Sequence, residues 1–222
     1  MTANYVSDPA RFVQKRFIPE QRRQEQRQLR HVRKLGRARQ PLQKIAEALN
    51  SAGIRWWLSY GGLLGLVRDG KFLEWDNDFD LVVESSADHD NVLAAFTGSG
   101  GELITQISYK GQPTNENYWF EDVYFDIYYG FERKGGLIIY GRRFGCALEI
   151  IQDRQPIVDR SFDGLHLRVP ADAERHLAHL YGATWRVPNP NWVWYVNEPI
   201  VEVRGPLPNL WYCYFRREIL KR

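Results

Sequence analysis

Three aspartates spaced by two, Asp76, Asp78 and Asp80, fill the segment Trp75-Asp76-Asn77-Asp78-Phe79-Asp80, and the apolar run Leu81-Val82-Val83 follows at once. Residues two apart on an extended strand point to the same side, so Asp78 and Asp80 converge while Phe79 faces a core. Carboxylates crowded at the mouth of a buried strand repel one another and push their own pKa values upward. A hard divalent cation removes that cost. An all-oxygen donor set selects Mg²⁺ or Mn²⁺ over Zn²⁺.

Such a cation needs an anion to act on. Gly61-Gly62 follows an apolar run and opens a short helical pattern. A glycine-rich turn entering a helix presents backbone N–H groups at the positive end of the helix dipole, which suits a phosphate. Arg68 and Lys71, on the next loop, add charge-assisted contacts. Phosphate donors beside a carboxylate metal site are the parts of metal-assisted phosphoryl transfer. A third metal ligand is expected from a neighbouring strand. Asp126 is the lone acid in Val123-Tyr124-Phe125-Asp126-Ile127-Tyr128-Tyr129, and burying it without a partner would be costly. Glu121 and Asp122 compete for that place but read as loop residues. Gly-Gly alone is usually just a turn, and D-x-D alone occurs in many loops. The ordered combination is the specific signal.

The elements that must hold these residues follow from the hydrophobic pattern. Residues 41–52 form an amphipathic helix with Pro41 in its first turn and Gly53 at its end. Residues 54–60 read as a buried strand, 61–68 as a short helix and 80–83 as a second strand. A helix is expected over 87–97, and strands over 102–109, 118–122, 123–131 and 137–141. Residues 144–151 fit a strand or a short helix. Asp163-Gly164 turns a hairpin, and 171–181 form a helix ending at Gly182. The last forty residues, rich in Pro and aromatics, are expected to wrap the body as an extended tail with a final helix near 211–221. The fold class is α+β, a small mixed sheet with helices on one side.

Composition sets the outer limits. The 222 residues suffice for one domain with a core, and 44% hydrophobic with 26% charged residues is an ordinary globular balance. No 18-residue apolar run and no N-terminal hydrophobic leader is present, so neither a membrane span nor secretion is expected. Two cysteines, Cys146 and Cys213, make no disulfide framework and no zinc site, and they suit a reducing cytoplasm. The net charge of +3 conceals an asymmetry. Residues 1–40 hold 11 of the 30 Lys and Arg but 3 of the 27 Asp and Glu, so an arm of charge +8 joins a remainder of charge −5. The expected division is a basic helical arm, 1–40, with exposed helices over 9–35 broken near Pro19, and a catalytic domain, 41–222. The arginines of the arm fit a solvated face, or a peripheral contact of residues 11–39 with an anionic membrane surface. No nucleic-acid partner is expected, because no recognition-helix or RNA-binding signature accompanies the charge.

The run Ser59-Tyr60-Gly61-Gly62-Leu63-Leu64-Gly65-Leu66-Val67-Arg68, followed by Trp75-Asp76-Asn77-Asp78-Phe79-Asp80, resembles the LicD family of phosphotransferases. A later Tyr181-Gly182-Ala183-Thr184-Trp185-Arg186-Val187-Pro188 supports the resemblance, which covers roughly residues 41–195. Asn77 stands where most members carry Asp, and Gly62 where Thr is usual. The resemblance implies a nucleotidyltransferase-like fold of the DNA polymerase β type. It implies Asp78, Asp80 and Asp126 as ligands of Mg²⁺ (or Mn²⁺), and Gly61 and Gly62 close to a donor diphosphate held also by Arg68 and Lys71. The implied reaction moves a phosphorylated alcohol, phosphocholine or a polyol phosphate, from a CDP-activated donor to a hydroxyl of a sugar or lipid-linked glycan. Asp126 is the candidate to accept the hydroxyl proton, with Asp76 as the alternative. Tyr181, Trp185 and Trp192 are candidates to stack a base, a sugar or a quaternary ammonium, unless they simply pack a wrapping tail. The expected location is cytoplasmic, at the inner membrane face. The competing readings are a nucleotidyltransferase that leaves a nucleoside monophosphate on its acceptor, and an inactive binding module of the same fold.

Overall fold

The computed structural model describes residues 38–73, 76–133, 136–189 and 191–220, together with the backbone of 4–7 and 14–17. Two short strands come first, β1 (Asn4–Ser7) and β2 (Gln14–Phe17). Residues 14–17 were expected to be helical; they instead pair antiparallel with a sheet edge. The rest of the expected helical arm lies outside the described residues. Helix α1 (Arg39–Ser51) buries Leu42, Ile45, Ala46 and Leu49, spaced three and four apart on one face. Strand β3 (Trp56–Leu58) then leads into α2 (Tyr60–Arg68), and β4 (Asp78–Val83) carries the aspartates. After a 3₁₀ turn at Ser86–Asp88 come α3 (His89–Gly98) and the strands β5 (Glu102–Tyr109), β6 (Gln112–Phe120) and β7 (Val123–Tyr129).

These build a six-stranded sheet of order β2-β5-β6-β7-β4-β3. Strands β5, β6 and β7 form an antiparallel meander. Glu121 and Asp122 make its second turn, both with positive φ, +46° and +67°. Strand β7 then lies parallel to β4 at the centre. Leu81, Val82 and Val83 are all fully buried, which requires cover on both faces.

The cover on one face is as expected. Helices α1 and α3 pack on Trp56, Leu58, Phe79, Leu81, Val83 and Phe125. A hairpin of β11 (Ile157–Phe162) and β12 (Leu165–Pro170) joins the same core, and α4 (Ala173–Tyr181) follows it.

The other face is covered by a second sheet, where the sequence led us to expect one sheet only. It comprises β8 (Phe131–Arg133), β9 (Gly136–Arg143), β10 (Cys146–Ile151) and β13 (Ile200–Gly205), with β1 at its edge, in the order β1-β13-β10-β9-β8. The segment 144–151, open between strand and helix, is therefore mostly strand. Leu148, Ile150, Ile200 and Val203 pack on Trp57 and Val82 of the first sheet. The expected extended tail is thus part of the fold. A short helix α5 (Trp194–Asn197) precedes β13, which pairs on both sides, and α6 (Leu207–Leu220) closes the described chain. Among the described residues no helix is long and apolar enough to cross a membrane.

Candidate active site

The alternation of β4 does what its composition demands. Phe79 is fully buried among Phe72 and Phe125, while Asp78 and Asp80 point from the opposite face, half-buried. Parallel register places Asp80 directly beside Asp126 of β7, and Asp78 beside Tyr124. On the far side of β7, Asn117 of β6 stands opposite Asp126 and donates an amide hydrogen bond to its Oδ1. Asp76, Asp78, Asp80 and Asp126 line one cavity of about 1060 Å³ between the two sheets.

This concentration of charge governs protonation. Burial, then Asp78, pushes the Asp76 carboxyl up to about 8. Burial raises Asp80 well above the usual carboxylate range, and Asp78, Asp126 and Asp76 add to the shift. Asp76 Oδ2 is buried with no hydrogen-bond partner among the described residues. A fifth carboxylate, Glu198, closes the set. It follows α5, is buried, accepts a hydrogen bond from the Tyr60 hydroxyl at 3.4 Å, and is raised to about 8 by burial. Among the described residues no group of three or more His, Cys, Asp or Glu side chains is placed so that it could hold a metal ion without some movement. The donor set nonetheless fits a hard cation: oxygen-only, crowded, and holding one buried oxygen unsatisfied.

The glycine turn differs from expectation. Tyr60 adopts a left-handed φ of +47° where β3 enters α2, a strained conformation for a bulky residue and a common companion of functional sites. A hydrogen bond of 3.0 Å between Ser59 Oγ and His176 Nε2 ties this corner to α4. Successive helical residues point about 100° apart, and the two glycines separate accordingly. Gly61 lines the cavity, and a Cβ there would overlap Asp76 Oδ2. The space beside this helix end is filled by the protein's own Asp76 carboxyl. Gly62 turns into the core instead, where a Cβ would lie 3.0 Å from Leu58 Cδ1 and 3.2 Å from Phe79 Cδ1. It is a packing glycine and not part of the cavity wall.

The two expected phosphate cations also divide. Arg68 reaches the cavity wall, bound to Asp69 through Nε–Oδ1 at 2.9 Å and Nη2–Oδ2 at 2.8 Å. Lys71 is exposed and lies off the wall, because the chain folds back after α2 with the Lys71 N–H and the Asp69 N–H both on the Gly65 carbonyl. The cation that sequence reasoning missed is Arg142 of β9. It is exposed, lines the cavity from the second sheet, and has no ion-pair partner among the described residues.

The aromatic candidates gather on the same wall. Tyr181 and Trp192 pack at 4.6 Å between ring centroids. Trp185 is buried in the helical core beneath Arg186, with its edge on the cavity. Tyr60 and Tyr128 complete the wall, 5.8 Å apart. Asn117 has a local sequence signal, since Asn115 and Asn117 alternate with core residues on a strand next to Asp126. Glu198 and Arg142 have none, because only the second sheet brings them here.

The model of the LicD/FKTN/FKRP nucleotidyltransferase domain matches residues 53–172. The ribitol-5-phosphate transferase FKTN of Homo sapiens is 24% identical over 182 residues, covering 77% of this chain and 38% of that protein. The Mus musculus FKTN is 25% identical over 183 residues, covering 78% and 38%. The ribitol 5-phosphate transferase FKRP of Homo sapiens is 42% identical over a stretch of 43 residues, 19% of this chain and 9% of its own. The chain therefore spans less than two fifths of the FKTN relatives it matches. Among solved structures, the antibiotic-resistance factor ANT(2'')-Ia aligns with a TM-score of 0.48 at 14% identity, over 70% of this chain and 76% of that one. The family domain occupies more than half of the 222 residues and contains the glycine turn and all four aspartates of the cavity floor, so the chain belongs to the LicD/FKTN/FKRP nucleotidyltransferase-domain family.

Proposed function

We propose that this chain transfers a phosphorylated alcohol, a polyol phosphate such as ribitol phosphate or else phosphocholine, from a CDP-activated donor to a sugar hydroxyl of a cell-surface glycan. The observation that carries the reading is the in-register pair Asp80 and Asp126, with Asp78 beside them, on the floor of a cavity large enough for a nucleotide donor and an acceptor. The family relation to ribitol phosphate transferases supports the chemistry. The core arrangement of β3, α2, β4 and β7 is that of a DNA polymerase β-type nucleotidyltransferase centre on this reading.

Asp78, Asp80 and Asp126 would hold Mg²⁺ (or Mn²⁺), which when bound offsets the negative charge of the donor diphosphate and of the departing CMP. The chain's own residues supply the rest. Arg142 and Arg68 face the phosphates, and Gly61 lines the wall beside them. Tyr181 and Trp192 stack the base or the sugar. Asp126, held in orientation by Asn117, accepts the proton of the attacking hydroxyl, and Asp76 is the alternative base.

Product analysis tests the reading. The protein is incubated with a glycan acceptor, Mg²⁺ and, in separate reactions, CDP-ribitol, CDP-glycerol, CDP-choline and CTP, and the acceptor is weighed by mass spectrometry. The expected outcome is an acceptor heavier by one phosphoalcohol, with CMP released only when acceptor is present. An acceptor carrying a nucleoside monophosphate would instead establish nucleotidyl transfer. No donor-dependent product from any nucleotide would leave an inactive binding module.

A further inference from the structure

Seven of the nine large hydrophobic side chains exposed among the described residues belong to α6. Leu210, Cys213 and Arg217 seat this helix on the second sheet. Much of the rest of its surface is apolar and open: Trp211 is 66% exposed and Leu207 68%, with Tyr212, Tyr214 and Phe215 beside them. Trp211 and Phe215 stack on each other at 5.3 Å with nearly parallel rings, while remaining exposed. A helix with so broad an exposed apolar face normally has a second partner.

The charges around this face identify the partner. Phe144 meets Tyr212 edge to face at 5.0 Å, and Arg143 lies over Phe144 and over Tyr195, each at 5.0 Å. Arg216 lies over Tyr212 at 6.0 Å. Arg142, Arg143 and Arg216 are all exposed, and the one acid on α6 is Glu218. Exposed Trp, Tyr and Phe interleaved with arginine suit the headgroup layer of a bilayer, where rings sit at the interface and guanidinium groups meet lipid phosphates. A helix of 14 residues is too short to span and must lie in the plane.

We propose that α6, together with Arg143 and Arg216, docks this protein on an anionic lipid surface. The membrane contact expected of residues 11–39 falls mostly on residues outside the described ones, and this face would be a separate contact.

The test is co-sedimentation of the full chain with vesicles of phosphatidylcholine alone and of phosphatidylcholine mixed with phosphatidylglycerol. The parent is compared with the double variants Trp211→Ser/Phe215→Ser and Arg143→Glu/Arg216→Glu, whose side chains are exposed. The parent should pellet with the mixed vesicles, and each double variant should bind them about tenfold less or weaker, with circular dichroism and turnover on a soluble acceptor unchanged. Brominated acyl chains should quench tryptophan fluorescence in the parent and quench less in Trp211→Phe. Vesicle binding as strong in the double variants as in the parent, or no binding by the parent to either vesicle, overturns the proposal. Loss of a concentration-dependent dimer in Trp211→Ser/Phe215→Ser without vesicle binding would assign the face to a second copy of the chain and overturn it equally.

Discussion

At the residue scale, what was legible in the sequence is what a local rule controls. Period-two alternation is enough to turn Asp78 and Asp80 one way and Phe79 the other, and a lone acid in an aromatic strand is enough to single out Asp126. The separate fates of Gly61 and Gly62 were not legible, because they depend on where Asp76 returns beneath the helix. That contact makes a prediction. Gly61→Ala should displace the Asp76 carboxylate and lower turnover about tenfold or more while leaving the far-ultraviolet circular dichroism unchanged. Turnover equal to the parent would show that the close approach has no functional part. His176 gives a second prediction, on stability. Burial lowers its pKa to about 4, and its Nε2 is held by Ser59. The unfolded chain takes up this proton as pH falls below the ordinary 6.5, whereas the native state resists until about 4. Stability from this site is therefore complete above pH 6.5 and declines as the pH falls from 6.5 towards 4, by about 3 kcal/mol at most. Melting temperatures of the parent and of His176→Gln across that range should converge at the acid end. Parallel curves would contradict the assignment.

At the element scale, helices α1, α3 and α4 and the hairpin at Asp163-Gly164 follow from periodicity, caps and turn residues, all encoded within a few positions. The second sheet does not. Its strand β13 is β-branched, Ile200-Val201-Glu202-Val203, but it lies within a stretch dense in Pro and aromatics, and its partners β10 and β1 are far apart in sequence, so no local rule shows the sheet it joins. One glycine of α2 carries a structural role of its own. Gly65 faces the returning loop so closely that a Cβ would lie 2.6 Å from the Lys71 carbonyl oxygen and 2.9 Å from the Leu73 nitrogen. Both are backbone atoms, so neither can turn aside. Gly65→Ala should cost about 1–3 kcal/mol from overpacking, offset in part by about 1 kcal/mol of helix propensity. Thermal unfolding should show a lowered melting temperature. An unchanged or raised value would mean that the loop adapts freely.

At the scale of the whole molecule, the charge asymmetry first seen in composition resolves into places. The body is acidic in part because five carboxylates, Asp76, Asp78, Asp80, Asp126 and Glu198, share one cavity. Two guanidiniums line the same cavity, and Arg68 is already bound to Asp69. Removal of divalent cations should therefore do more than stop turnover. With Mg²⁺ present the native state should gain stability by linkage, and a chelator should lower the melting temperature of the parent but not of Asp78→Ala/Asp80→Ala. A chelator effect of equal size in both would place the cation elsewhere.

The most direct test is acceptor-dependent CMP release from the preferred CDP-alcohol at saturating Mg²⁺, in the parent and in Asp78→Ala, Asp80→Ala and Asp126→Asn. Each variant should fold and each should lose about a thousandfold in turnover, because the proposed cation contributes several kcal/mol to the transition state. Near-parental turnover in any of the three would contradict the assignment of the cavity floor as the catalytic centre.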